Sequence, residues 1–224
     1  MTFAGEAALV AGKDLRIEAR ARVVTAQVLP FAGIVVLLFA FALDPRRNVL
    51  PTLAPGLFWV AVLLSSLLAV SRSFAIESEH GGRDGLRLAG LDGGAIFLGK
   101  AAAIGLQLLL LEVVLLVAVF ALYDVEVHGL VVIVPAALVA TAGIAAAGTV
   151  YGVLAAGLRV RETLVPVLVL PAVAPVLLGA TRAFELALAG ELGGAWRWTS
   201  LLAVFAALYT MLGVLTFGPL LEEA

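Results

Sequence analysis

Apolar residues gather along this chain in six long blocks, each approaching the roughly 20 residues a helix needs to cross a bilayer. Lipid offers the backbone no water to bond, so blocks of this kind are helical. Their approximate limits are 24–43, 55–73, 95–122, 129–157, 163–181 and 198–220. Two polar connections are long, 74–94 and 182–197. The first of these, with the end of the preceding block, reads "SRSFAIESEHGGRDGLRLAGLDGGAIFLGK" and concentrates acids, bases and glycines. In the second, Phe184, Leu188 and Leu192 recur every four residues, with Arg182, Glu185 and Glu191 off that stripe. That spacing predicts a helix lying flat on the outer surface or partly inserted. Ahead of the first block, residues 5–22 carry "DLRIEARAR", whose charges alternate. A strand there has nothing to pair with, so an interfacial helix is expected, its long basic side chains reaching toward headgroups.

Composition agrees with this pattern. The 224 residues are 63% hydrophobic and 13% charged, with a mean hydropathy of +1.14, whereas a soluble domain carries roughly 25% charged residues. The expected fold class is an all-α membrane protein of six transmembrane helices, forming a single permease domain over residues 1–224. The first 22 residues lack the order of a cleavable signal peptide and are expected to remain. The net charge of −2 says less than where the charges fall. Lys13, Arg16, Arg20, Arg22, Arg72, Arg83, Arg87, Lys100, Arg159 and Arg161 fall on one side; Arg46, Arg47, Arg182 and Arg197 fall on the other. The richer side is expected to be cytoplasmic, with both termini inside. The absence of cysteine excludes disulfides, thiolate metal sites and Cys-x-x-Cys-His haem attachment.

Several motifs carry candidate chemistry. "GAIFLGKA" at 94–101 nearly spells a phosphate-binding loop, but Ala101 stands where a magnesium-binding hydroxyl is needed and the motif runs into a span. No nucleotide site is expected there, and Lys100 reads as a headgroup-level residue. Glu112 lies inside the third span. A central acid costs roughly 3 kcal/mol, which the surrounding leucines, valines and Phe120 offset at about 0.3–0.6 kcal/mol each. It reads either as a structural carboxyl bonded to a neighbouring helix or as a polar point in a gating seam. Gly148 and Gly152 form a Gly-x-x-x-Gly pair, between Gly143 and Gly157, for close helix packing within the chain or across a dimer. Pro166, Pro171 and Pro175 in the fifth span suggest a bent or broken helix and a moving part, or a static kink. His80 and His128 fall on opposite sides and cannot share a metal. "WRW" at 196–198 fits an interfacial aromatic belt.

The order of these parts resembles the membrane subunits of ABC-2 exporters. More specifically, the chain resembles the haem exporter protein B (CcmB) permease family of cytochrome c maturation. "KDLRIEARAR" (13–22), "LAPGLFWVAVLLSSLLAVSRSF" (53–74), "ESEHGGRDGLRLAG" (77–90) and "VLPAVAPVLL" in span five carry the likeness. The loop holds more glycine and less leucine than that family suggests.

The resemblance implies a cytoplasmic coupling helix between spans two and three that docks on a separate ATPase subunit. Glu77, Glu79 and Asp84 would offer charge, Leu86 and Leu88 an apolar face, and Gly81, Gly82 and Gly85 a tight entry turn. It also implies a homodimer in a bacterial inner membrane, two copies of the ATPase (A), a haem-handling membrane subunit (C), a small membrane subunit (D) and a haem chaperone (E). On that reading the chain is no enzyme and holds no cofactor of its own. ATP belongs to the partner, haem is the transported or released species, lipid surrounds the chain and nucleic acid plays no part. The rival expectations are a general ABC-2 exporter of lipid or drug, and a secondary transporter relaying protons through Glu112.

Overall fold

A computed structural model describes residues 2–22, 24–43, 49–79, 90–156 and 161–223, and among them the backbone is helical with no strand. The helices are α1 (Phe3–Ala21), α2 (Leu29–Ala42), α3 (Leu50–Glu79), α4 (Gly93–Tyr123), α5 (Leu130–Ala156), α6 (Arg161–Leu188) and α7 (Leu192–Glu223). A π-helical turn, Val24–Val28, leads into α2. The five helices α3 to α7 are each long and apolar enough to cross a membrane. The pair Phe3–Ala21 and Ala26–Ala42, bent by 53°, makes a sixth when counted as one span.

α1 begins where the Thr2 hydroxyl accepts the Gly5 N–H at 3.3 Å, and ends in Arg22, left-handed at φ +53°. Glu18 ties down the break that follows. Its carbonyl accepts the Arg22 N–H at 2.7 Å and its carboxylate accepts the Val24 N–H at 2.5 Å. Rather than standing apart, α1 runs lengthwise along α4. The Glu6 carboxylate accepts the Asp92 N–H at 3.0 Å, Ala7 and Val10 press on Gly99, and Asp14 reaches Lys100. At the other end of α4, the Tyr123 hydroxyl donates to the Val36 carbonyl of α2 at 2.9 Å.

α5 sits at the centre and touches α3, α4, α6 and α7. Its composition explains why it can. Ala136, Ala140, Ala145, Ala146, Ala147 and Ala155 are all buried, so neighbouring backbones approach closely. A methyl group added at Gly148 would come within 2.7 Å of Val70 Cγ2, and one at Gly152 would land on the Phe74 ring. Both glycines of the Gly-x-x-x-Gly pair therefore face α3 of the same chain. The opposite arrangement joins α4 and α7, where the Phe97 ring fills the space beside Gly213.

One expectation fails. Residues 182–197 are not a separate surface helix. Arg182 to Leu188 continue α6 without interruption, and Leu192 already begins α7. The stripe of Phe184 and Leu188 is shared by a surface helix and by the end of a long span, so periodicity alone did not separate them. The stop is set by Gly190 at φ +80°, with the Glu191 N–H bonded to the Leu186 carbonyl at 2.8 Å. The three prolines likewise leave α6 continuous from Arg161 to Leu188.

Replacing Gly152 by Val is expected to lower stability by about 1–3 kcal/mol through overpacking. Gly33→Ala, where a methyl meets nothing within 4 Å, should stay within ±0.5 kcal/mol. Thermal unfolding of the detergent-solubilised chain compares the two.

Candidate functional site

α3 is 30 residues long, about 45 Å, and so outruns the hydrocarbon core. Glu77 and Glu79 lie in its last turn, with side chains outside the described residues. Gly82, Asp84, Gly85, Leu86 and Leu88 fall in the stretch 80–89, also outside them. What borders that stretch is described. Asp92 caps α4 by accepting the Ala95 N–H at 3.1 Å, and "GAIFLGKA" is helical throughout. It cannot form the strand–loop–helix cradle of a nucleotide site.

Lys100, expected at headgroup level, is enclosed by the protein itself. It is 1% exposed, 3.4 Å from the Asp14 carboxylate of α1, with its ammonium 5.1 Å from the centroid of the Phe74 ring of α3. Asp14 also pairs with Lys13 at 2.6 Å. A buried ammonium is costly unless paired, and a ring face adds attraction. Phe74 in turn packs on Gly152 of α5. Three helices, α1, α3 and α4, therefore meet at one cation, and α5 backs the ring on which it rests. The sequence held one signal of this: Lys100 lies well inside an apolar helix that begins at Gly93 and carries no other cation before Tyr123.

Deeper in the bundle, the Thr141 hydroxyl of α5 donates to Glu112 Oε1 of α4 at 2.6 Å. Glu112 is 4% exposed, and its Oε2 has no hydrogen-bond partner among the described residues. Pro171 and Pro175 flank the Ala172 carbonyl, which accepts the Tyr209 hydroxyl of α7 at 2.5 Å. This hydrogen bond ties α7 to the proline-containing stretch of α6. Toward the other end of α3 and α6, Phe58, Trp59 and Phe184 form an aromatic cluster with centroids 5.2–5.5 Å apart. This cluster had no distinctive spacing in the sequence. Its members lie far apart along the chain and meet only because α3 packs on α6.

The geometry thus brings Asp14, Phe74, Lys100 and Gly152 together, and places Glu112 and the prolines elsewhere. His128 is largely exposed, 4.0 Å from Glu126. No cluster of three or more histidines and acids that could hold a metal occurs among the described residues.

Helices of this length and apolarity, joined through a few buried polar contacts, define a multi-pass, all-α membrane protein. The chain belongs to the CcmB family, whose model, described as CcmB protein, matches residues 6–221. It is similar to heme exporter protein B of Haemophilus influenzae, 31% identical over 212 residues, 92% of this chain and 90% of that one. The heme exporter protein B of Pseudomonas aeruginosa is 30% identical over 187 residues, 81% of this chain and 82% of that one. With heme exporter protein B of Escherichia coli K12 the identity is 39% over 103 residues; that match spans 44% of this chain and about half, 47%, of the relative.

Two variants probe the polar contacts. Thr141→Val should cost about 0.6–1.7 kcal/mol by removing the donor to Glu112. Asp14→Asn, which weakens an anionic partner of a buried ammonium, should cost about 1.5–3 kcal/mol. Unfolding in detergent, with Lys100→Met added to form a double-mutant cycle, should reveal coupling for Asp14 with Lys100 and none for Thr141 with Lys100.

Proposed function

We propose that this chain is the membrane subunit through which a separate ATPase drives haem export or the release of a haem-loaded chaperone during cytochrome c maturation. The family match along residues 6–221 carries the reading, because the relatives it resembles are named as heme exporters. The chain acts without catalysis of its own. ATP is bound and hydrolysed by the partner.

Placement of the 80–89 stretch supports the coupling half of the proposal. It joins the ends of α3 and α4, and the helices bordering it interlock through Asp14, Lys100 and Phe74. Docking at Glu77, Glu79, Gly82, Asp84, Gly85, Leu86 and Leu88 would move α3 and α4 as a pair and carry α1 with them. The excess of lysine and arginine on this side supports a cytoplasmic location for it and for both termini. Within the bilayer, Glu112 and the Pro171–Pro175 stretch are the polar and bendable points at which the bundle responds. Two copies of the chain pair with two ATPases, beside the haem-handling C subunit, the small D subunit and chaperone E.

Co-expression of the tagged chain with the ATPase of the cytochrome c maturation system tests this. Wild type should co-purify with the ATPase, and hydrolysis should rise when the C subunit and haem-loaded chaperone are added. Asp84→Lys and Leu86→Lys should reduce co-purification at least tenfold while the chain remains membrane-inserted. Assembly with no response to haem or chaperone points instead to a general exporter. Failure to assemble at all removes the coupling role.

A further inference from the structure

A groove of about 390 Å³ runs between α3 and α6, toward the end of the bundle where α3 begins and α6 stops. α3 lends Gly56, Trp59 and Leu63, and α6 lends Leu177, Thr181 and Glu185, each set on one helix face. Leu63 and Leu177 make the deeper part aliphatic. At the mouth, Arg182 Nη1 meets Glu185 Oε2 at 2.7 Å. Arg182 is 64% exposed and Glu185 34%, so this single contact seals off neither charge. A second cavity, about 800 Å³, continues from the same two residues to Asp124 and Glu126. His128 also lines it, 4.0 Å from Glu126. Acids outnumber Arg182 there, so a ligand carrying only negative charge is poorly matched, while one carrying both signs fits.

One donor along the groove lacks a partner. Trp59 is 1% exposed, and its Nε1–H meets no acceptor among the described residues. Buried indole N–H groups usually find one. The ring has little freedom to turn away, because Phe58 and Phe184 pack on it with centroids 5.2 Å distant. Trp59 stands three residues in from Gly56, and Thr181 four residues in from Glu185, which sets both about 4–6 Å deeper than the mouth. That depth matches the interfacial layer of a bilayer, roughly 5–8 Å thick on each side. A phospholipid places its ester carbonyls at that level, between a charged headgroup and its acyl chains, and they are acceptors with no donor of their own. Gly56 adds room beside them, since a methyl built there comes no closer than 3.9 Å to Thr181.

We propose that this groove binds one zwitterionic, amine-bearing phospholipid. Its phosphate meets Arg182, and its ammonium meets Glu185 and the acids beyond. An ester carbonyl accepts the Trp59 N–H, and an acyl chain lies over Leu63 and Leu177. The bound molecule bridges α3 and α6 near the start of α3, the end remote from the 80–89 stretch. This inference needs neither haem nor an ATPase, so it stands or falls separately from the proposed function.

The full chain, purified in mild detergent, is titrated with phosphatidylethanolamine or phosphatidylglycerol of equal acyl length, and retention is read by native mass spectrometry. Phosphatidylethanolamine should be retained about tenfold more strongly. Trp59→Phe keeps the ring packing and removes the donor, so that retention should fall about fivefold. In chain isotope-labelled at the indole nitrogens, the Trp59 signal is identified by its loss in Trp59→Phe. It should move on adding phosphatidylethanolamine and stay in place with phosphatidylglycerol. Glu185→Gln leaves Arg182 without its acidic partner, so the preference should reverse toward phosphatidylglycerol. Gly56→Leu, which fills the groove, should abolish retention of phosphatidylethanolamine. Val60→Trp, on the same wall, serves should Gly56→Leu fail to fold, with circular dichroism as the check. Equal retention of the two lipids overturns the proposal. So does a Trp59 signal that ignores phosphatidylethanolamine while retention persists, which means diffuse attachment elsewhere. Displacement of the lipid by free phosphoethanolamine at the same concentration overturns it too, because the acyl chain then contributes nothing.

Discussion

Inside a bilayer the lipid tails are as apolar as leucine, so helices gain little by hiding apolar side chains from one another. They associate through close van der Waals approach and through a few internal polar contacts. α5 meets the first requirement through its many alanines and glycines, and it packs against α3, α4, α6 and α7. Val70 and Phe74 of α3 reach the α5 backbone at Gly148 and Gly152. That contact fixes where the Phe74 ring lies, and so where a cation can rest on it. Lys100 occupies that position and draws in Asp14. One of the contacts that hold α1 against the bundle thus traces back to two missing side chains on α5.

Much of this was legible in the sequence, for a physical reason. Long apolar blocks in lipid have one backbone solution, and five of the six expected spans correspond to long observed helices; the first, expected at 24–43, holds the shorter α2, which makes a span only when joined to α1 across their 53° bend. The third span, expected at 95–122, is α4, Gly93–Tyr123; the fourth, expected at 129–157, is α5, Leu130–Ala156. Ends were less legible. α3 starts at Leu50 and runs to Glu79, because polar residues can prolong a helix once it has left the hydrocarbon, where composition no longer marks a limit. The same ambiguity turned the end of α6 and the start of α7 into an apparent surface helix. Gly190 was visible throughout as a stop signal, but the stripe of Phe184, Leu188 and Leu192 runs straight across it.

Pairings between distant helices were not legible. Glu112 was singled out by its cost in lipid, yet nothing in the sequence joined it to Thr141, which looks like any small polar residue on a packed helix. Lysines near span ends usually reach water, so nothing in the sequence marked Lys100 as enclosed by protein. Its burial depends on Asp14, 86 positions earlier. The near match to a phosphate-binding loop lies wholly within α4, where Gly99 and Lys100 pack against α1. Membership in the CcmB family supplies what contacts alone do not, the reason such a bundle exists.

The connection between α6 and α7 constrains motion as much as it defines an end. Three residues, Ala189 to Glu191, separate the helices, a reach of roughly 10 Å even when fully extended, and here they are folded into a hydrogen-bonded turn. Two rods joined by so short a tether cannot slide past one another along their lengths. If α6 flexes at Pro171 or Pro175, the segment beyond the bend must carry the adjoining part of α7 with it, and the hairpin swings as one lever pivoting within the bilayer.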